Sequence, residues 1–351
     1  MITVDGSQKS GSGTIVRFAV ALAVLLGEEL HLFNIRARRD KPGLRPQHLK
    51  AIEALKQMCQ GKLEGGKVGS SEIKFRPGGA VKGGHYEWDI GTAGSTTLLV
   101  MTLLPAACFA RKAMSFKVAG GLFQDFAPSA YHMQHVLSPA LQKMGVIAPL
   151  NIIRPGYVPR GGGIIEVKVE PVAGKIKPIS LPTQGKVTGI EGIALSSHLK
   201  ERQVSERMAE TCNKVLLSKG YHARLEIVHD DTALQRGAAL AIYATTSTGC
   251  IIGADRAGEP QRTSEEIGKS TAQSLLADLA TRATVDRYLA DQLIFYAALA
   301  DGVSEYRIPQ MTEHVESNLW LAESILGAKI EVKDNLVRIQ GIGYTAASRG
   351  L

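Results

Sequence analysis

An internal repeat limits the folds that are open to this chain. The segment 76–84, RPGGAVKGG, is echoed at 154–162 by RPGYVPRGG, which begins 78 residues later. Before each copy, apolar residues follow the spacing of an amphipathic helix and then the alternation of a strand, and another alternating stretch comes after it. Because repeated units of this kind stack and bury a shared core, the sequence predicts helices that cover mixed sheets.

A third unit does not appear at the same period, which indicates an insertion. The next helix followed by two strands lies at 317–339, and its anchor, Arg338, is 184 residues beyond Arg154, an excess of 106. We place the insertion at residues 184–281, where periodicity predicts four strands and two helices. The predicted class is therefore α/β (α+β), with a large domain of 1–183 plus 282–351 and a small inserted α/β domain of 184–281.

The composition is that of an ordinary globular protein with a surplus of basic residues. The chain has 351 residues, of which 44% are hydrophobic and 21% charged, and a net charge of +8. This surplus suits a polyanionic partner such as nucleic acid, although many equally basic proteins have none. The longest apolar stretch, 97–110, is too short to span a bilayer and contains Pro105, so we expect a buried helix and no membrane association.

The cysteines and the first residues favour a cytoplasmic location. Cys59, Cys108, Cys212 and Cys250 are too far apart for a C-x-x-C motif, so we expect buried thiols in a reducing compartment. The first residues lack the basic and apolar segments of a signal peptide. Both features predict a cytoplasmic protein.

Three segments have features of anion-binding loops. The Gly- and Ser-rich segment 5–17 precedes a predicted helix, whose N-terminus favours anions, although a flexible turn is the simpler interpretation. The segment 36–48 places five cations within ten residues around two rigid turns, which favours a phosphate site over a solvated surface. In 91–97, the small residues before the apolar helix fit close packing and phosphate binding equally well.

His314 and Asp291 are the main candidates for catalysis. A histidine can act as a nucleophile, and a carboxylate upstream in the chain can orient its ring. The alternative is a polar pair that only fixes the packing of two helices. His132 and His135, three residues apart on one helical face, could form a metal pair, but no third ligand lies nearby in sequence and a surface or core pair is favoured.

Taken in order, these segments resemble the RNA 3′-terminal phosphate cyclase family over nearly the whole chain. The matching stretches are 5–8, 36–48, 76–95, 154–163 and 288–293, followed by His314 and Asn318. The resemblance implies three repeated βαβαββ-like units in the large domain and a small inserted α/β domain. Enolpyruvyl transferases use the same repeat, so the fold alone does not decide the function.

The resemblance implies ATP-dependent, ligase-type conversion of an RNA 3′-terminal phosphate to a 2′,3′-cyclic phosphate. In this family a histidine attacks ATP to form a covalent histidine–AMP, and AMP then passes to the RNA end to give an RNA-adenylate. His314 lies at the position of the nucleophile, and Asp291 at that of the carboxylate that holds its ring. ATP, a divalent cation (Mg²⁺ or Mn²⁺) and an RNA with a 3′-phosphate are implied, while the metal ligands and the oligomeric state stay open.

Other positions match the nucleotide pocket of the family, and two depart from it. The resemblance places Tyr288 and Gln292 in the pocket wall, Pro128 against adenine, and Arg17, Arg36, Arg39 and Gln47 around phosphates. Ser10 stands where a glutamate near the metal is usual, and His132 where an aromatic residue beside the base is common. Loss of the carboxylate would weaken metal binding, change the preferred nucleotide or mark a different substrate.

Two other functions are compatible with the sequence. A non-catalytic RNA-binding relative that acts in ribosome or RNA processing is favoured by Ser10 and disfavoured by His314. An enolpyruvyl-type transferase shares the repeat but is disfavoured by the insertion and by His314. Adenylation of the chain separates the cyclase from the first alternative, and a test with phosphoenolpyruvate examines the second.

Overall fold

The computed structural model describes residues 1–348, which form sixteen strands and ten α-helices. The strands are β1 (Ile2–Asp5), β2 (Leu30–Phe33), β3 (Lys62–Glu64), β4 (Ile73–Arg76), β5 (Gly84–Asp89), β6 (Met114–Gly120), β7 (Leu150–Arg154), β8 (Gly163–Val169), β9 (Ser180–Leu181), β10 (Val187–Ser197), β11 (Ala223–Asp230), β12 (Gly237–Thr246), β13 (Ile251–Ala257), β14 (Val303–Arg307), β15 (Lys329–Lys333) and β16 (Leu336–Gln340). The helices are α1 (Gly13–Leu26), α2 (Pro46–Cys59), α3 (Thr96–Ala107), α4 (Ala130–His132), α5 (Ser138–Lys143), α6 (Val204–Leu217), α7 (Ser264–Ala280), α8 (Leu289–Gln292), α9 (Ile294–Leu299) and α10 (Glu313–Leu321). Turns of π-helix at Met133–Leu137 and Ala322–Leu326 continue α4 into α5 and extend α10.

Three of the four sheets share one strand arrangement. Their orders are β1-β2-β4-β3, β5-β6-β8-β7 and β9-β14-β16-β15. In each sheet the first two strands are parallel and the other neighbours are antiparallel. The predicted α/β (α+β) class is confirmed, and the three matching sheets are the repeated units of the fold.

The two RPG elements do not mark equivalent points of the repeat. Arg76–Gly78 leads from β4, the last strand of the first unit, to β5, the first strand of the second. Arg154–Gly156 instead joins β7 to β8 inside the second unit. The prediction that both copies have the same place is therefore wrong. Its cause is β3, a strand of three residues with exposed ends whose alternation is too short to recognise in the sequence.

The fourth sheet lies in the third unit, between β9 and β14. Its order is β11-β10-β12-β13, and α6 and α7 pack against it around buried residues such as Met208, Leu240 and Leu275. Four strands and two helices occupy this stretch as predicted, and α7 begins with a capping box of Thr263 and Glu266. The division of the chain into two domains at 184 and 281 stays a prediction.

The central helices carry the first site residues. Every residue of α1 except the last is buried, and α1 contacts α2, α3 and α10, so it forms the middle of the main core. The apolar stretch 97–110 corresponds to α3, a buried helix as predicted, and the four cysteines are buried. Within residues 1–348, we find no helix with the length and apolar character needed to cross a membrane.

Candidate active site

A cavity of about 260 Å³ lies where α1, α8, the start of α10 and the loop before α4 meet. Six residues that the sequence predicts as site residues line it: Arg17, Pro128, Tyr288, Asp291, Gln292 and His314. The other residues in its wall are Thr14, Phe18, Leu98, Met101, Asp125, Phe126, Ala127, Arg287, Gln310 and Thr312. The fold thus brings together polar groups from four separate parts of the chain in one apolar-lined pocket, the usual form of a small-molecule site.

His314 stands at the start of α10 with Asp291 beside it. Its Nδ1 is 4.0 Å from the Asp291 Oδ2, and the two side chains are 53% and 19% exposed. Thr312 caps the helix, because its Oγ1 accepts a hydrogen bond from the Val315 N–H at 3.2 Å. The 4.0 Å separation is longer than a hydrogen bond, and pairs of this kind commonly tighten when a ligand binds.

Asn318 holds Asp291 in place from the next turn of α10. Its Nδ2 donates to the main-chain oxygen of Asp291 at 3.2 Å and lies 3.5 Å from Oδ2. Its Oδ1 accepts a hydrogen bond from Thr14 Oγ1 at 3.0 Å. The sequence indicates Asn318 through its place with His314 in the family resemblance and its spacing of one helical turn from His314, and nothing in it indicates the contact of Thr14, which joins α1 to this group.

The charges around the cavity favour a neutral His314. Burial lowers the pKa of His314 below its usual range, and the positive charges of Arg17 and Arg39 lower it further. Burial raises the pKa of Asp291 to about 7, although the charge of Arg17 opposes this shift. At neutral pH the imidazole of His314 therefore has a free lone pair, while the Asp291 carboxyl is partly protonated and partly ionised.

Arg17 is a buried cation that forms no ion pair within residues 1–348. Burial lowers its pKa to about 10, and among residues 1–348 its Nε has no hydrogen-bond partner. Gln292 also has a buried Oε1 without a partner in the described part of the chain. Buried polar groups are normally hydrogen-bonded, so these two side chains indicate a polar ligand in the cavity.

The segment 91–97 serves packing. Thr97 Oγ1 donates to the main-chain oxygen of Pro128 at 2.7 Å, and Thr96 Oγ1 to that of Gly121 at 3.0 Å. Ser95 caps α3 by accepting from the Leu98 N–H. With these hydroxyl groups buried and engaged, close packing is favoured over phosphate binding, and Thr97 fixes the position of Pro128 in the cavity wall.

Three predicted phosphate ligands do not line the cavity. Arg36 turns into its own loop, where Nη1 donates to the main-chain oxygens of Lys41 at 2.6 Å and Gly43 at 3.0 Å. Arg39 is near enough for its charge to act on His314. Gln47 lines a smaller adjoining cavity that also contains Arg17. Their contacts with phosphate stay predictions.

Ser10 contacts α10 instead of facing the cavity. It is buried, its N–H donates to Ser317 Oγ at 3.2 Å, and its hydroxyl bonds with those of Ser12 and Ser317. Residues 1–348 contain no group of three His, Cys, Asp or Glu side chains that could hold a metal ion. The residues present thus do not form a protein-held metal site, and a divalent cation would depend on phosphate groups of a bound nucleotide.

Comparison with known proteins gives the family. The model of the RNA 3′-terminal phosphate cyclase family matches residues 8–332. The chain belongs to this family. It is 38% identical over 337 residues to an RNA 3′-terminal phosphate cyclase of Pyrococcus furiosus, with 95% of each chain covered. It is 35% identical over 347 residues to that of Pyrobaculum aerophilum, with 98% of this chain and 99% of the relative covered.

In this member of the family, His132 is a core residue behind the cavity. Its Nε2 lies 3.1 Å from both carboxylate oxygens of the fully buried Asp286. Its ring meets that of Tyr288 edge-on at 5.5 Å, so it supports a wall of the cavity from behind. His135 instead stacks on Tyr243, with ring centroids 4.9 Å apart. The two histidines therefore do not form a metal pair.

Some residues of the cavity wall were not predicted. Asp125, Phe126 and Ala127 come directly before Pro128, and Arg287 directly before Tyr288, so their proximity in sequence to predicted residues was the available signal. Gln310 enters the wall from the loop before α10, and no pattern in the sequence indicates it.

Proposed function

We propose that the chain converts an RNA 3′-terminal phosphate to a 2′,3′-cyclic phosphate in an ATP-dependent reaction that passes through a covalent adenylate on His314. One observation carries this proposal: a histidine, a carboxyl group near its Nδ1 and a buried arginine whose Nε has no partner among residues 1–348 share one cavity. Family membership and the relatives' names support the overall activity, and the geometry supports the intermediate.

In the first step His314 attacks the α-phosphorus of ATP. Nδ1 is the ring atom nearest Asp291, so Nε2 is the nitrogen that forms the bond to phosphorus. The bond between that phosphorus and the oxygen bridging to the β-phosphate breaks, and pyrophosphate leaves with the electron pair. Ionised Asp291 accepts a hydrogen bond from the Nδ1–H of His314 and stabilises the positive charge that develops on the ring. Arg17 offsets the negative charge of the phosphates.

In the next two steps AMP passes to the RNA and is then released. An oxygen of the RNA 3′-phosphate attacks the phosphorus of AMP, and the bond to Nε2 breaks, which restores neutral His314. The vicinal 2′-hydroxyl loses its proton to water and attacks the 3′-phosphorus, expelling AMP and closing the cyclic phosphate. A divalent cation, Mg²⁺ or Mn²⁺, bound to the nucleotide phosphates would neutralise part of their charge.

The proposal also includes a binding surface for the adenine and a cytoplasmic location. Pro128 and Tyr288 both line the cavity and provide an apolar and an aromatic surface for a base. The burial of all four cysteines supports a reducing compartment such as the cytoplasm.

A second candidate, a non-catalytic RNA-binding relative, is favoured by Ser10. Its hydroxyl bonds to Ser12 and Ser317, so no carboxylate acts at this point of the site. Such a protein would bind RNA without any ATP-dependent change at the 3′ end.

The test is intact mass after incubation with ATP and either Mg²⁺ or Mn²⁺, followed by mapping of the adduct. We expect one AMP on His314, no adduct in His314→Ala, and a normal adduct in the control His135→Ala, whose ring stacks on Tyr243 outside the cavity. An adduct that persists in His314→Ala would contradict the assignment of the nucleophile. If the wild-type chain forms no adduct with either metal or with other nucleotides, the RNA-binding relative is the better account.

A further inference from the structure

A second cavity, of about 610 Å³, lies beside the fourth sheet and the loop that follows β7. We call it the arginine groove. Its lining comes from the segment 157–159 of the second unit, from residues between 199 and 207 around the start of α6, from residues 235–238 at the start of β12, and from residues between 258 and 267 at the start of α7. Four arginines line it: Arg202, Arg207, Arg236 and Arg262.

Two of these arginines are not paired with a carboxylate in the part of the chain that the structure describes. Arg207 is paired with Glu265 at 2.8 Å, and Arg262 with Glu259 at 2.9 Å. Arg202 and Arg236 are exposed and have no ion-pair partner among residues 1–348. The groove therefore presents two free cations, and its one acidic lining residue, Glu259, is already bound. This charge pattern suits a ligand with more than one negative group.

The arginine groove and the His314 cavity share a wall. Arg262 lines the groove and Asp125 lines the His314 cavity, and the Arg262 Nη2 lies 2.7 Å from the Asp125 Oδ2. Next to this ion pair, Phe126 is 90% exposed on the rim of the His314 cavity. An exposed aromatic ring is costly in water and is a common platform for a nucleic-acid base.

We propose that the arginine groove binds the single-stranded RNA just upstream of its 3′ end, with Arg202 and Arg236 on backbone phosphates. The strand then passes over Phe126, so that its terminal phosphate enters the His314 cavity. Apolar surface from Val158 and Leu199, both in the groove wall, faces riboses and bases. This inference rests on the proposed function, because it names where the RNA of that reaction is held.

The test combines RNA binding with adenylation. Arg202→Ala/Arg236→Ala removes the free cations, and Lys219→Ala/Arg224→Ala is the matched control, because it removes the same charge from exposed positions of the same stretch outside the groove. The affinity for a fluorescent single-stranded oligoribonucleotide with a 3′-phosphate is measured by anisotropy at several salt concentrations. The yield of His314–AMP from ATP alone is measured in parallel.

We expect the groove variant to bind RNA at least tenfold more weakly, with a salt slope smaller by about 1.4, while the control changes little. Its adenylation by ATP alone should equal that of the wild-type chain, whereas KM for RNA in cyclisation should rise. Arg236→Glu, a single exposed change, should weaken RNA binding in the same direction and serves if the double variant is unstable.

Equal RNA affinity in groove variant and control would overturn the inference and leave the groove to another kind of partner. A wild-type chain that binds RNA through the groove but forms no His314–AMP would instead contradict the proposed function and leave the groove assignment standing.

Discussion

At the scale of single residues, the site depends on the protonation of Asp291. Only the ionised carboxylate can accept a hydrogen bond from the Nδ1–H of His314 and stabilise the charged ring. Burial raises the pKa of Asp291 to about 7. His314 titrates below its usual range, so it stays neutral where Asp291 ionises. We expect the rate of His314–AMP formation to rise with pH through a midpoint near 7, measured by rapid quench with ATP alone.

The control is Asp291→Asn, which cannot ionise. Its adenylation rate should be lower by roughly 10²–10⁴ and should lose the rise near pH 7. A wild-type rate that is flat between about pH 6 and about pH 8 would contradict the role given to Asp291.

The same residue should make the chain less stable at high pH. In the folded state Asp291 keeps its proton up to about pH 7, against 3.8 for an ordinary aspartate. Stability from this group is therefore full below the ordinary pKa and is lost as pH rises through about 7. Asp291→Asn should be more stable than the wild-type chain at pH above 7, by an amount on the order of 2–4 kcal/mol, measured by urea unfolding. Equal stabilities of the two chains above pH 7 would contradict the raised pKa of Asp291.

The sequence predicts individual site residues where they belong to ordered motifs, and misses those that depend on long-range contacts. Six predicted residues line one cavity. The order of the motifs along the chain indicates that these residues share a site, whereas the hydrophobic periodicity does not. The hydrogen bond from Thr14 to Asn318 joins positions 304 apart, and no local pattern indicates such a contact. The contact of Ser10 with Ser317 is equally remote in sequence, so its position against α10 needed the structure.

At the scale of elements, the start of α10 positions His314. Thr312 satisfies the Val315 N–H, and His314 is the second residue of the helix. Thr312→Ala should cost about 1 kcal/mol of stability and slow adenylation, because the first turn loses its cap. Thr312→Ser keeps the hydroxyl and is the matched control. If both variants adenylate at the wild-type rate, the cap does not position the nucleophile.

The elements also show where sequence periodicity fails. The long buried helix α3 was predicted within a few residues, since many of its positions are apolar. The strand β3 has one partly buried residue among three, so it leaves no alternation to detect. Because β3 was not recognised, β4 of the first unit was matched with β7 of the second, although the repeat itself was recognised.

At the scale of the whole molecule, buried Asp286 joins three parts of the chain. It accepts the N–H of Gly253 in β13 at 2.8 Å and those of Tyr288 and Leu289 at 2.8 Å. It also pairs with His132, next to the second unit's π-helical turn. The negative charge of Asp286 raises the pKa of His132 against the effect of burial. The fourth sheet, the second unit and the wall of the His314 cavity therefore meet at one carboxylate.

Asp286→Ala should accordingly disturb stability and nucleotide binding together. Removal of one partner of a buried pair leaves the other uncompensated, so we expect a loss of about 3–5 kcal/mol in urea unfolding. Hydrogen exchange should become faster in β13 and α8, and ATP affinity should fall because Tyr288 loses its anchor. The control is Asp301→Ala, which removes an exposed pair with Lys175 and should cost no more than about 1 kcal/mol. An Asp286→Ala loss as small as that of the control would mean that the three parts hold together through apolar packing, and that the cavity does not depend on this carboxylate.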